Sequence, residues 1–151
     1  GMKVYYYKRH RLSAAEEEDE GISYLSMDEL LARCRVLSVH TPYSAETHHL
    51  IDARALAKMR PDALLINTSR GAVVDEAALV EALTQGRIAG AGLDVFEQQD
   101  CASAALSALP QVAMTPHTGT ATTSTRRAMA LEQLAAVHAF LSGSSDLPRV
   151  L

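Results

Sequence analysis

Three residues stand out for the chemistry that their types and settings allow. Arg70 closes the run Ala63-Leu64-Leu65-Ile66-Asn67-Thr68-Ser69 and is followed directly by Gly71. A guanidinium is a rigid fork of donors that grips a carboxylate or carbonyl at two points. His117 stands between Pro116 and Thr118-Gly119, and imidazole both holds and delivers a proton near neutral pH. Asp94 ends an apolar stretch containing Gly90 and Gly92. Glycines inside such a stretch permit close approach of a backbone or a flat ligand, and a carboxylate at that edge can accept from an amide. His10, His40, His48, His49 and His138 lack comparable surroundings and read as structural or exposed.

These residues need elements to hold them, and hydropathy supplies a regular alternation. Strand-like runs cover residues 2–7, 22–25, 35–39, 63–67, 88–95 and 111–115. Helical patterns intervene. Ser13-Ala14-Ala15-Glu16 has the shape of a capping box, and Ser26 with Glu29 repeats it ahead of a helix through residues 28–32. Further helices are expected over 52–58, 75–85 and 121–141, the second started by Asp75 and stopped by Gly86. Strand and helix alternating at this spacing predict βαβ units, a parallel sheet and helices on both faces. In such sheets ligands bind beyond the carboxyl ends of the strands. Those ends carry Lys8-Arg9-His10-Arg11, His40-Thr41-Pro42, Thr68-Ser69-Arg70-Gly71, Asp94 to Gln99, and Pro116-His117-Thr118-Gly119. One edge of the sheet is therefore the candidate site.

Composition narrows the classes. A chain of 151 residues with 48% hydrophobic and 21% charged residues suits one ordinary globular domain. Fourteen basic against eighteen acidic residues give a net charge of −4, which disfavours nucleic acid as a partner. No apolar run approaches the roughly 20 residues of a membrane span, and no signal-peptide core opens the chain. The expected location is the cytoplasm. Cys34 and Cys101 fit neither a metal spacing nor a disulfide framework, and no metal is expected. Glu16 to Glu20 reads as a solvated helix face.

Ile66-Asn67-Thr68-Ser69-Arg70-Gly71-Ala72-Val73-Val74-Asp75, Leu83 to Phe96, and Thr115-Pro116-His117-Thr118-Gly119 together resemble the D-isomer-specific 2-hydroxyacid dehydrogenases over nearly the whole chain. The resemblance implies a Rossmann-type doubly wound α/β domain of a nicotinamide-dependent oxidoreductase acting on a small 2-oxo or 2-hydroxy acid, such as glyoxylate or hydroxypyruvate. By that similarity Arg70 binds the substrate carboxylate and carbonyl, His117 is the acid/base, and Asp94 holds the carboxamide. Thr41, Pro42, Thr68 and Ser69 line the cofactor, and His40, Arg70, His117 and Gly119 at the same strand ends are counted with them. A homodimer built through the cofactor domain is also implied.

Three departures accompany the resemblance. The G-x-G-x-x-G turn that holds a pyrophosphate is absent from these residues. So are the first, central strand and the substrate domain, so residues 1–151 read as a partial NAD(P)-binding domain. The strands at 2–7 and 35–39 are then expected either to pair directly or to be covered by a second copy. Gln99 stands where most of the family has a glutamate that pairs with the histidine. The formate dehydrogenases resemble this sequence in carrying glutamine there and in Arg9-His10-Arg11-Leu12. Finally, Lys8 and Arg9 occupy the strand end where NAD-preferring members place an acid, so NADP is favoured over NAD. An inactive truncated product and a dinucleotide-sensing, corepressor-like protein are the competing readings. Arg70 and His117 together favour the enzyme, because sensing needs neither a proton donor nor a substrate clamp.

Overall fold

The computed structural model describes residues 1–98 and 102–144. The chain divides into a unit spanning Gly1–Pro116 and a second spanning His117–Leu151. In the first unit the order is β1 (Val4–Tyr6), α1 (Ala14–Glu20), β2 (Ile22–Tyr24), α2 (Met27–Arg33), β3 (Val36–Val39), α3 (Ala53–Lys58), β4 (Leu64–Asn67), a 3-10 turn (Gly71–Val73), α4 (Glu76–Thr84), β5 (Gly90–Leu93), α5 (Ala104–Ser107) and β6 (Val112–Met114). The second unit contributes α6 (Thr123–Leu141).

Capping residues start the helices where the sequence places them. Ser13 and Ser26 each accept from the backbone three residues on, while Glu16 and Glu29 return the bond to the cap backbone. Asp52 and Asp75 cap α3 and α4 through Ala55 N–H and Ala78 N–H, both within 2.9 Å. Gly86, at φ 64°, takes the left-handed conformation that ends α4. The 3-10 turn and α5 carry no hydrophobic periodicity of their own, and the sequence reading passes over them. β5 is half its expected length, because its flanks leave the ladder to form loops.

All ladders are parallel, as the continuous apolar strands imply. β3-β4-β5-β6 form one sheet and β1-β2 a second. Side chains alternate across the pleat, which sets helices on both faces. Tyr5 packs on the core and lies under Arg33 of α2, whereas Tyr6 turns to the other side and donates to Glu17 of α1. Leu30, Leu31, Leu56, Leu79, Leu83 and Leu106 from successive helices bury against Leu37, Leu65 and Leu93 of the larger sheet.

Of the two outcomes expected for β1 and β3, direct pairing does not occur: no ladder joins them among the described residues. α2 packs against α3 and buries Leu30 and Leu31 in the hydrophobic core, which ties this part of the chain to the larger sheet through a helix and not through hydrogen-bonded strands. Val4 and Val36, one on each facing strand, remain about half exposed at 52% and 49%.

Candidate functional site

The carboxyl ends of β4 and β5 form the best-organised part of the edge. Asn67, the last residue of β4, is 1% exposed. Its side-chain oxygen accepts from Ser69 N–H at 3.0 Å and from Ser69 Oγ at 2.8 Å, and its amide donates to the Arg70 carbonyl at 3.0 Å. One buried amide thus shapes the Thr68-Ser69-Arg70 turn, satisfying backbone groups that lie beyond the ladder. Arg70 itself is exposed. Its Nη1 donates to the Ser69 carbonyl at 2.7 Å, and the remaining guanidinium donors make no other hydrogen bond among the described residues of the first unit.

Asp94 sits beside this turn. Its N–H donates to the Asn67 carbonyl at 3.0 Å, and its carboxylate accepts from Thr115 Oγ1. At 6% exposure it is the one buried carboxylate among the described residues of the core, and such groups are held by hydrogen bonds. Gly71 is dictated by crowding: a Cβ there would run into the Phe96 carbonyl.

The other strand ends are placed as follows. Lys8 and Arg9, after β1, are exposed and make no side-chain hydrogen bond or ion pair among the described residues. Arg11 differs. Its Nε and Nη2 grip Glu17 at 2.7 and 2.9 Å, and its guanidinium lies 5.2 Å from the Tyr24 ring centre. The Arg11 bond, joined by the Tyr6 hydroxyl, holds the Glu17 carboxyl down at about 2. After β3, His40 Nε2 shares a 2.8 Å bond with Ser38 Oγ, and the Pro42 carbonyl accepts from Thr47 Oγ1 at 2.8 Å. Thr41 is half-buried, and Thr68 is exposed. His117 and Gly119 open the second unit, where both are exposed and His117 has φ 52°. That left-handed conformation is uncommon for a residue with a Cβ, although histidine adopts it more readily than most. Gln99 lies outside the described residues.

Sequence reasoning missed a cluster behind the Arg70 turn. His49 Nε2 meets Glu97 Oε1 at 2.7 Å and His49 Nδ1 lies 3.9 Å from Asp75. Glu97 accepts from Glu76 N–H, and Glu76 accepts from Glu97 N–H and Ser103 N–H. Neighbouring histidines and scattered glutamates carry no local signal that they converge across 48 positions.

Residues 1–119 match the family profile described as D-isomer specific 2-hydroxyacid dehydrogenase, NAD binding domain. The chain belongs to this family. Glyoxylate reductase from Thermococcus litoralis is 45% identical over 148 residues, which are 98% of this chain and 44% of that protein. The crystal structure of a glyoxylate reductase from Paecilomyes thermophila superposes with a TM-score of 0.87 at 39% identity, covering 92% of this chain and 42% of the other. The NADPH-dependent glyoxylate/hydroxypyruvate reductase of Sinorhizobium meliloti, solved with NADP and malonate, gives 0.86 at 36% identity, covering 94% and 43%. The chain therefore spans less than half the length of these 2-hydroxyacid dehydrogenase relatives.

The donor set suits a dinucleotide. A dinucleotide offers amide donors at its carboxamide, hydroxyls at its riboses and anionic oxygens at its phosphates, which carboxylates, hydroxyls and cations recognise. Asp94, Thr41, Thr68, Lys8 and Arg9 are residues of those kinds at the carboxyl ends of the strands, where α/β sheets bind ligands. Among the described residues no group of three His, Cys, Asp or Glu could hold a metal ion, and no helix is long and apolar enough to cross a membrane.

Proposed function

We propose that this domain serves a cytoplasmic NADPH-preferring reductase of small 2-oxo acids, with glyoxylate and hydroxypyruvate as the first candidates. The observation that carries the reading is the Arg70 turn: a buried Asn67 shapes it, the guanidinium projects exposed, and Asp94 stands on the adjoining strand end. Arg70 grips the carboxylate and carbonyl of the substrate and draws charge toward the carbonyl oxygen. Protonated His117 gives its proton to that oxygen, with Gln99 orienting the ring. Asp94 receives the carboxamide, and Thr41, Pro42, Thr68 and Ser69 border the cofactor with His40 and Gly119. When bound, the reduced nicotinamide supplies the hydride that C2 of the oxo acid takes up, and the product is the 2-hydroxy acid.

Steady-state assays test this directly. A full-length family enzyme carrying this domain is expected to oxidise NADPH on addition of glyoxylate or hydroxypyruvate. The 151-residue polypeptide alone is expected to be inactive, since these residues include no glycine-rich phosphate cradle. No turnover by the full-length enzyme would refute the assignment, and turnover by the polypeptide alone would refute the expectation that it is inactive.

The same domain is proposed to self-associate as a homodimer. β1 and β3 share no ladder, and an open strand edge pairs readily with another chain. Sedimentation equilibrium of the 151-residue polypeptide should give twice the chain mass. A monomer at micromolar concentration would contradict it.

A further inference from the structure

We propose that His49 and Glu97 are positioning residues for Arg70, forming a strap across the 3-10 turn from which that arginine projects. The proposal rests on the reading of Arg70 as the substrate clamp. It starts from the way this turn is enclosed. On one side the backbone of residues 49–51 runs alongside it: His49 N–H donates to the Ala72 carbonyl at 2.9 Å, Ile51 N–H to Val73 at 3.0 Å, and Asp75 N–H to Ile51 at 3.1 Å. On the other side the Phe96–Glu97 peptide crosses Gly71 so closely that no side chain fits. The turn is thus clasped between two segments that are far apart in sequence. The His49–Glu97 bond, at 2.7 Å, joins those two segments to each other.

Each end of the strap is anchored. His49 is held with φ 50° and stacks on His48, their ring centres 3.9 Å apart. That left-handed region is uncommon for a residue with a Cβ, histidine adopting it more readily than most. Glu97 is fixed by the reciprocal bonds with Glu76, which place one carboxylate on each other's backbone N–H at 3.3 Å. Asp75, whose other oxygen caps α4, faces the second nitrogen of His49 at 3.9 Å. Asn67 locks the Arg70 carbonyl from within the sheet, so the strap and the buried amide hold the same turn from opposite sides. Loss of the strap leaves β4 and Asn67 in place but lets the turn, and with it the guanidinium, drift. Misplacing a substrate-orienting group by about 1 Å costs up to ~100-fold in rate.

The test uses a full-length family enzyme carrying this domain. His49→Ala and Glu97→Ala should each raise KM for the oxo acid by roughly tenfold, with the NADPH dissociation constant unchanged. The double variant should be no worse than either single one, and His49→Gln, which can keep a hydrogen bond to Glu97, should recover most of the loss. Arg70→Ala is the companion. If Arg70→Ala raises KM while His49→Ala and Glu97→Ala do not, the strap is not a positioning device although the clamp stands. If Arg70→Ala leaves KM unchanged, the clamp reading falls and the strap falls with it. Parallel losses of thermal stability and of NADPH binding in both strap variants would show a merely structural role and overturn the proposal.

Discussion

Replacing His117 by alanine in a full-length family enzyme carrying this domain should lower kcat for 2-oxo acid reduction by about 10²- to 10⁴-fold, the usual contribution of a positioned proton donor. The effect should fall on kcat and leave NADPH binding nearly intact, because the imidazole acts on the carbonyl oxygen and not on the dinucleotide phosphates. Arg70→Ala should lower kcat/KM by a similar ~10²–10³-fold, since it removes both the carboxylate grip and the charge that stabilises the developing alkoxide. Gln99 modifies this picture. Gln99 is proposed to orient the ring without stabilising its charge, and if the two side chains meet, Gln99→Glu puts an anion beside the imidazolium and raises its pKa. Reduction requires the protonated ring, so its decline at high pH should move to higher pH in that variant. A pH–rate profile that does not move would show that the two side chains do not meet, and a His117→Ala enzyme with undiminished kcat would remove the acid/base assignment.

Lys8→Asp should reverse the cofactor preference. Lys8 and Arg9 are exposed and make no side-chain hydrogen bond or ion pair among the described residues, while the neighbouring Arg11 is bonded to Glu17 at 2.7 and 2.9 Å. Two exposed cations at the end of β1 suit a 2′-phosphate, and a hydrogen bond to a charged group contributes about 1.5–3 kcal/mol. The parent enzyme should therefore favour NADPH by roughly tenfold or more in kcat/KM. An aspartate at position 8 repels the phosphate and can accept from the ribose hydroxyls, so it should turn the ratio toward NADH. Arg11→Ala is the informative contrast. It frees Glu17 and loosens the turn under Tyr24, so it should weaken both cofactors alike. Equal use of NADH and NADPH by the parent enzyme would defeat the idea.

The elements were legible wherever local chemistry decides them. Ser13, Ser26, Asp52 and Asp75 start helices because their side chains satisfy the first free N–H groups, whatever lies elsewhere in the chain. Leu64-Leu65-Ile66 reads as a buried parallel strand for an equally local reason. The edge carrying Arg70 and Asp94 followed from strand order alone, since every parallel strand ends on the same side. The motif around Arg70 and Gly71 also carried the family, later shown by the match over residues 1–119.

Tertiary structure decided what depends on convergence of distant segments. Whether β1 and β3 pair directly was left open by the strand pattern, and the packed structure decides that they share no ladder. The role of Asn67 was invisible because its three bonds go to the backbone and side chains of a turn whose shape exists only after folding. Gly71 reads as a generic turn glycine until the Phe96 carbonyl arrives above it. His49, in the segment after β3, and Glu97, in the segment after β5, meet at 2.7 Å because β3 and β5 pair with β4 on either side and bring those two segments over the turn that follows it. Hydrophobic periodicity and capping are properties of neighbours along the chain. The enclosure of the Arg70 turn is a property of neighbours across the sheet, and only the packed structure brings those together.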